Sequence, residues 1–330
     1  MHSPPVIAIM AAMAHYLITG VAGFIGSNLA RALVERGETV RGIDNFSTGK
    51  PENIQPLRGK LDFHPVDILD LDSLRKACDG IDFVLHEAAI PSVPKSVTDP
   101  IASNRANVDG TLNVLVAARD AKVKRVVYAA SSSAYGDTPT LPKHEEMTPN
   151  PISPYAVAKL TGELYMQVFY RVYGLETVSL RYFNIFGPQQ DANSQYSGVL
   201  AKFITLMLKG QQPTIYGDGE QSRDFTFVEN VIQANLLACK APAEKVAGKV
   251  FNIATGARST LNQTFALLKN LTAYNGSPNY AGERTGDIKH SLADISRAQN
   301  ALGYKPSVNF AEGLKRTVAW YRSEVLTATA

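Results

Sequence analysis

The chain has 330 residues, 45% of them hydrophobic, with 33 Lys and Arg against 30 Asp and Glu for a net charge of +3. That length buries a substantial core in one large domain or two smaller ones. The near-balanced charge, with no Lys/Arg block, gives no support to nucleic-acid binding. No apolar run reaches membrane-spanning length. Cys78 and Cys239, the 2 cysteines of the chain, form neither a metal-ligand spacing nor a disulfide framework. Both read as buried small apolar residues, no metal site is expected, and a cytoplasmic location is.

In chain order, residues 6–13 form a short apolar piece with no positively charged segment before it, so a signal peptide is not expected. The stretch MAHYLITG is a natural beginning for a first strand. Residues 1–12 read as a disordered extension or as an artefact of the start codon chosen. Residues 16–19 read as a buried strand and 24–36 as a helix ending at Gly37. Strands follow at 39–43, 61–66 and 81–86, then a long helix at 101–120 and a fifth strand at 125–130. A helix at 155–173 and a strand at 177–181 complete the pattern. Such βαβ alternation predicts a doubly wound parallel α/β sheet. After about residue 184 the pattern loosens, and Gly, Pro, Asn and Gln cluster in 187–198 and 210–222. That suggests a second, smaller region shaped by loops. Residues 225–227, a helix at 228–240 and a strand at 250–253 return to the sheet. No internal repeat or low-complexity segment is present.

Between the first strand and the first helix, ITGVAGFIGSNL places Gly20, Gly23 and Gly26. This is G-x-x-G-x-x-G rather than the simplest dinucleotide fingerprint, but the physics is shared. Glycines let the backbone turn tightly and approach a pyrophosphate, whose charge is stabilised at the helix N-terminus. Asp44 closes the second strand, where a carboxylate bonds an adenosine ribose hydroxyl and repels a 2′-phosphate, favouring NAD over NADP. Asp67 and Ile68, at the end of the third strand, are placed to contact adenine. In NPISPYAVAKLTGELY, Ser153 is a reasonable N-cap and Pro154 suits the first turn. Tyr155 and Lys159, at i and i+4, then share one helix face.

Taken together, GVAGFIGSNL, DNFSTG, HEAAIPSVPKSVTDP, ASSSAYGD, SPYAVAK, LRYFNIFGPQQDAN, YGDGEQSRDFTFVENV and RTGDIKHSLADIS resemble the extended short-chain dehydrogenase/reductases, specifically the nucleotide-sugar epimerases. The likeness is closest to UDP-N-acetylglucosamine 4-epimerases, relatives of UDP-galactose 4-epimerase. It implies a Rossmann-like NAD-binding domain at 13–183 plus about 225–254. A smaller C-terminal α/β UDP-sugar-binding domain is implied at about 184–224 plus 255–330. It also implies that Tyr155 and Lys159 are the Y-x-x-x-K pair. A phenol is a poor base at neutral pH, and Lys159 with the positive nicotinamide ring would stabilise the phenolate. The third catalytic hydroxyl lies four residues before Tyr135, at Ser131, with Ser132 as the open alternative. Ser133 would line the sugar pocket. Tyr155 would take the 4-hydroxyl proton while hydride moves to NAD. The 4-keto sugar would then turn, and hydride would return to its other face.

The resemblance further assigns Phe24, Ile25, Asn45, Ser47, Thr48, Gly49, Ala88, Ala89, Asn107 and Tyr182 to the cofactor. To the substrate it assigns Ser92, Asn184, Asn193, Gly198, Val199, Thr214 and Tyr216, with Arg223 and Arg284 clamping the diphosphate and Asp287 on the uridine ribose. Sibling dehydratases carry an Asp-Glu pair, and decarboxylases a Glu, where this chain has Ser132, Ser133 and Ala134, so epimerisation is favoured. Ser291 is small and leaves room for a 2-N-acetyl group, favouring UDP-GlcNAc/UDP-GalNAc. Pro91, where the nearest relatives carry Gly, leaves UDP-Glc/UDP-Gal and UDP-glucuronate open. A non-catalytic NAD-binding regulatory protein is the reading from another class. A homodimer is implied, with Leu112, Leu115, Val116, Leu164, Val168 and Phe169 available on helices 101–120 and 155–173.

Overall fold

A computed structural model describes residues 13–191, 198–283 and 289–327. Its centre is a parallel sheet of seven strands. Six are β1 (His15–Thr19), β2 (Thr39–Asp44), β3 (Asp62–Pro65), β4 (Phe83–His86), β5 (Arg125–Ser131) and β6 (Glu176–Tyr182). The seventh, Lys249–Ile253, pairs with β6, giving the order Lys249–Ile253, β6, β5, β4, β1, β2, β3. The order reverses between β1 and β4, the switch point where a doubly wound sheet opens a crevice for a ligand.

Both sheet faces are covered, which is why the strands read as unbroken apolar runs. Tyr16, Ile18, Leu85, Val127 and Leu180 pack on one side against Leu29 and Leu33 of the helix Phe24–Glu35 and Val231 and Ala234 of the helix Val228–Lys240. Leu17, Ile43, Val84, Val126 and Tyr128 face the other side, against Leu74, Val114, Leu115, Met166 and Phe169. Arg125, buried at the start of β5, donates Nη1 to the carbonyls of Ala238, Cys239 and Ala241 and bonds Glu176 through Nε at 2.8 Å. A fixed cation thereby meets the negative end of the helix Val228–Lys240.

A third apolar cluster is built from Phe186, Phe203, Phe225, Phe227, Phe265, Leu314 and Tyr321. It holds the helices Val199–Leu208, Leu261–Thr272 and Phe310–Thr327, which lie outside the Gly/Pro/Asn/Gln clusters at 187–198 and 210–222 and which the sequence analysis does not assign. The expected helix at 101–120 is in fact three pieces. Pro100–Asn104 starts on the Asp99 cap, a π turn spans Arg105–Asp109, and Gly110–Asp120 follows. A further helix, Val93–Thr98, is capped by Ser92. The Asx-Pro and Ser-x-Pro steps are helix starts that a reading by apolar periodicity passes over.

The helix Pro154–Tyr173 starts on Ser153, whose hydroxyl accepts from the Ala156 N–H, and ends on left-handed Gly174. It buries Glu163 against Arg181 of β6. Arg181 Nε lies 2.9 Å and Nη2 2.7 Å from the carboxylate, and the guanidinium covers the Tyr135 ring at 4.6 Å. Truncating one member of a buried pair strands the other charge in a dry site. Glu163→Ala is therefore expected to cost about 3–5 kcal/mol, read from the midpoint of a guanidinium unfolding curve.

Candidate active site

The loop after β1 explains the glycine spacing by contact. Gly20 has φ +70°, and a Cβ there would lie 2.8 Å from Ala88 Cα. A Cβ on Gly26 would lie 2.2 Å from the Gly20 carbonyl oxygen. The Gly23 N–H donates to that same carbonyl, and Ser27 N–H to Gly23. Asp44 ends β2 and accepts from Ala22 N at 2.9 Å and from Phe46 N at 2.7 Å. Burial raises its pKa, and the backbone bonds pull the other way. Gly49 lies against that carboxylate, within 2.9 Å of it by any added Cβ. Asn45 bonds Asp67 at 2.9 Å.

A cleft of about 910 Å³ opens here, at the switch point. Gly20, Gly23, Phe24, Ile25, Gly26, Asp44, Asn45, Ser47, Thr48, Asp67, Ile68, Ala88, Ala89 and Ser92 all line it, so the scattered motifs converge. Asn107 does not. It is buried behind the wall, its Oδ1 accepting from Ile90 N and its Nδ2 donating to Ile90 O, so it holds the loop rather than facing the cleft. Gln189 and Lys50, which the motifs had not marked, also border the cleft. Gln189 accepts from Ser27 Oγ at 3.0 Å, and Lys50 pairs with Asp191 at 3.0 Å. The donor set suits a dinucleotide: close-approach glycines at a helix N-terminus for a diphosphate and a carboxylate for a ribose diol.

Lys159 projects from the helix onto β5 and donates Nζ to the Ala129 carbonyl at 2.8 Å, over the Tyr128 ring at 4.9 Å. Burial brings its pKa down to about 8, against the pull of Glu87 and Glu163. Burial also raises the Tyr155 phenol, while a hydrogen bond with Ser131 lowers it. The protein on its own thus holds Tyr155 above the ordinary phenol range, against the expected depression. The reason is that desolvation exceeds the local stabilisation of a phenolate. Ser131 accepts from Ser133 N at 3.2 Å and shares a bond with Ser133 Oγ at 2.9 Å. The Tyr155 N–H donates to Ser96 Oγ, fixing the helix start against Val93–Thr98.

A second cavity of about 280 Å³ is lined by Asn184, Gly198, Val199, Thr214, Tyr216 and Arg223. It meets the first cleft along Gln190 and Gly198, which border both. Asn184 adopts φ 41°, a conformation Asn tolerates, and its Nδ2 donates to Asp224 O and to Ser291 Oγ, both at 3.0 Å. Arg223 donates Nη1 to the carbonyls of Ser222 and Lys289. Asp224, not singled out by the sequence, is fully buried and accepts from Thr255, Gly256 and Ala293, tying three loops together beneath this cavity. Asn193, Arg284 and Asp287 lie outside the described residues. Among the described residues no group of three His, Cys, Asp or Glu could hold a metal ion, and no helix is long and apolar enough to cross a membrane.

Residues 16–254 match the model of the NAD dependent epimerase/dehydratase family. A putative UDP-glucose 4-epimerase of Methanocaldococcus jannaschii is 38% identical over 309 residues, covering 93% of this chain and 98% of that protein. The crystal structure of UDP-glucose 4-epimerase from Thermotoga maritima with UDP-glucose superposes with a TM-score of 0.89 at 38% identity, covering 94% of this chain and 99% of that one. UDP-N-acetylglucosamine 4-epimerase from Methanobrevibacter ruminantium, in complex with UDP-N-acetylmuramic acid, gives a TM-score of 0.90 at 41% identity, over 95% and 100% of the two chains. With a family match across most of its length and relatives of this identity and coverage, the chain belongs to the NAD dependent epimerase/dehydratase family.

Proposed function

We propose that the chain interconverts UDP-GlcNAc and UDP-GalNAc by inversion at C4, with UDP-Glc and UDP-Gal as further substrates. The class itself is that of an NAD-dependent UDP-sugar 4-epimerase. The observation that carries the choice of sugar is Ser291. It is a small side chain bonded to Asn184, which lines the substrate cavity, and its size supports a place for a 2-N-acetyl group beside Asn184.

The glycine loop, Asp44 and the residues around Asp67 would hold NAD. Bound there, the cofactor supplies a hydride acceptor and a positive charge. Tyr155 takes the proton from the sugar 4-hydroxyl. Ser131 orients it and relays the proton, a reading supported over Ser132 by the lowering effect that Ser131 has on the Tyr155 phenol. Lys159, pinned to Ala129, stabilises the phenolate electrostatically. Arg223 is set to meet the diphosphate, and Thr214 and Tyr216 border the base. The sheet with its flanking helices would form the cofactor-binding unit, and the third apolar cluster the core of the substrate-binding one.

A homodimer is part of the same reading, with the expected pair of helices at 101–120 and 155–173 replaced by 93–104 and 154–173, where the exposed apolar side chains lie. Val97, Ile101, Val157, Leu164, Val168 and Val172 are exposed there, Ile101 by 73%. Leu115 and Phe169, counted with this face by the sequence reading, are buried in the core instead.

Purified protein without added NAD is expected to convert UDP-GlcNAc to its 4-epimer in proton NMR, faster than UDP-glucose or UDP-glucuronate. A preference for UDP-glucuronate would replace the sugar assignment, and no conversion, even with NAD added, would remove the epimerase reading. Tyr155→Phe is expected to lower kcat by about 10²–10⁴-fold with NAD binding retained, measured by the same assay and by calorimetry. In light scattering the wild type is expected as a dimer and Ile101→Glu/Leu164→Glu as a monomer.

A further inference from the structure

The helix Pro154–Tyr173 opens, like any helix, with N–H groups that have no acceptor inside it. Pro154 has no N–H to place. Ser153 Oγ accepts from Ala156 N at 3.2 Å, and the first regular bond runs from Val157 N to the Ser153 carbonyl at 3.0 Å. The N–H of Tyr155 lies between these. It donates to Ser96 Oγ at 3.0 Å, 59 positions earlier in the chain. Ser96 is fully buried and gives its own proton to the Val93 carbonyl at 2.7 Å, so a second bond sets the direction of its lone pairs. The helix Val93–Thr98 that carries it starts on Ser92, whose Oγ accepts from Lys95 N and whose carbonyl accepts from Ser96 N. Pro91 and Ser92 line the cofactor cleft. Asn107 holds the same wall one residue earlier, by its bonds to the N–H and the carbonyl of Ile90.

We propose that Ser96 is a positioning residue for epimerisation, its hydroxyl fixing the backbone of Tyr155 against the cleft wall that Pro91 and Ser92 form. The proposal rests on the epimerase reading and adds a residue that does not itself line the cleft. Two segments far apart in the chain supply the two sides of the reaction. The helix supplies the base, and the wall at 91–92 borders the sugar. Their spacing has to be kept closely, since misplacing a reacting group by about 1 Å costs up to about 10²-fold in rate. Lys159 and Glu163 hold the helix to the sheet one and two turns beyond Tyr155, and both of those bonds end on β5 or β6. Ser96 instead joins the helix start directly to the segment that carries the wall. A buried N–H without an acceptor is costly, so wall and helix start hold together as one unit. Without the hydroxyl, the Tyr155 N–H must turn to another acceptor, and the base moves relative to the sugar.

One readout of the test needs no substrate. In full-length ¹⁵N-tyrosine-labelled protein, with the Tyr155 amide assigned through Tyr155→Phe, hydrogen exchange at that amide is expected to be about tenfold faster in Ser96→Ala than in the wild type. In the NMR epimerisation assay Ser96→Ala is expected to lower kcat about tenfold, with KM for UDP-GlcNAc within about twofold. Ser96→Cys keeps the volume but not the oxygen and is expected to match Ser96→Ala. Ser96→Thr keeps the oxygen and its bond to the carbonyl three residues back, and is expected to recover most of the rate. Ser153→Ala removes the neighbouring cap and spares the Tyr155 bond, so it is expected to lose stability with kcat within about twofold. Unchanged Tyr155 exchange in Ser96→Ala would overturn the proposal. So would a wild-type kcat in Ser96→Ala or Ser96→Cys, or a folded Ser96→Thr that protects the Tyr155 amide without recovering rate. An equal loss of kcat in Ser153→Ala would also overturn it, marking a frayed helix start rather than a lost tie. A wild type that epimerises no UDP-sugar, with Tyr155 exchange still faster in Ser96→Ala, would instead overturn the functional reading.

Discussion

One helix face carries three polar side chains, Tyr155, Lys159 and Glu163, spaced by four residues, and the last two are buried against a parallel sheet. A cation in such a place is tolerated only where fixed acceptors and opposite charge surround it. The two buried ones meet partners rooted in the sheet: the Ala129 carbonyl for Lys159 and Arg181 of β6 for Glu163. The helix can therefore neither slide nor rotate without orphaning a buried polar group. The geometry of the proposed catalytic face is in this sense a by-product of electrostatic satisfaction in the core.

The rest of the site is arranged around that helix by close backbone approach. Three glycines bring the first turn against β4 and against itself, and the same turn delivers the Ala22 N–H to Asp44. Asp44 thus organises the loop before any ligand arrives. Its burial and its backbone bonds have opposite effects on its charge, the balance expected of a carboxylate that receives a neutral diol. Asp224 does for the second cavity what Asp44 does for the first, gathering N–H groups of separate loops onto one carboxylate.

The sheet was legible in the sequence because its order is local: unbroken apolar runs, a glycine turn, an acid at a strand end. The strands at 16–19, 39–43 and 125–130 fall within one residue of their observed limits. What escaped was set by contacts distant in the chain. The helices of the third cluster meet through interlocking Phe side chains, and a local start such as the Thr260/Gln263 capping box of Leu261–Thr272 is not visible to a reading by apolar periodicity, which also runs through the caps inside 101–120. Asn107 and Ser96 show the same limit at the site. Both stand in motifs whose types suggest polar work, yet which backbone group each one meets depends on residues 17 and 59 positions away.

The π turn at Arg105–Asp109 has a consequence for how this chain compares with others. A π turn accommodates one residue more than a regular helix would over the same path. Here it lets Asn107 hold the loop at Ile90 while Val114 and Leu115, a turn or two later, still land on the sheet. A chain with one residue fewer in this stretch could keep both faces by reverting to ordinary pitch. A single-residue gap at this point in an alignment would then record a change of helical winding, with the loop lengths on either side unaltered.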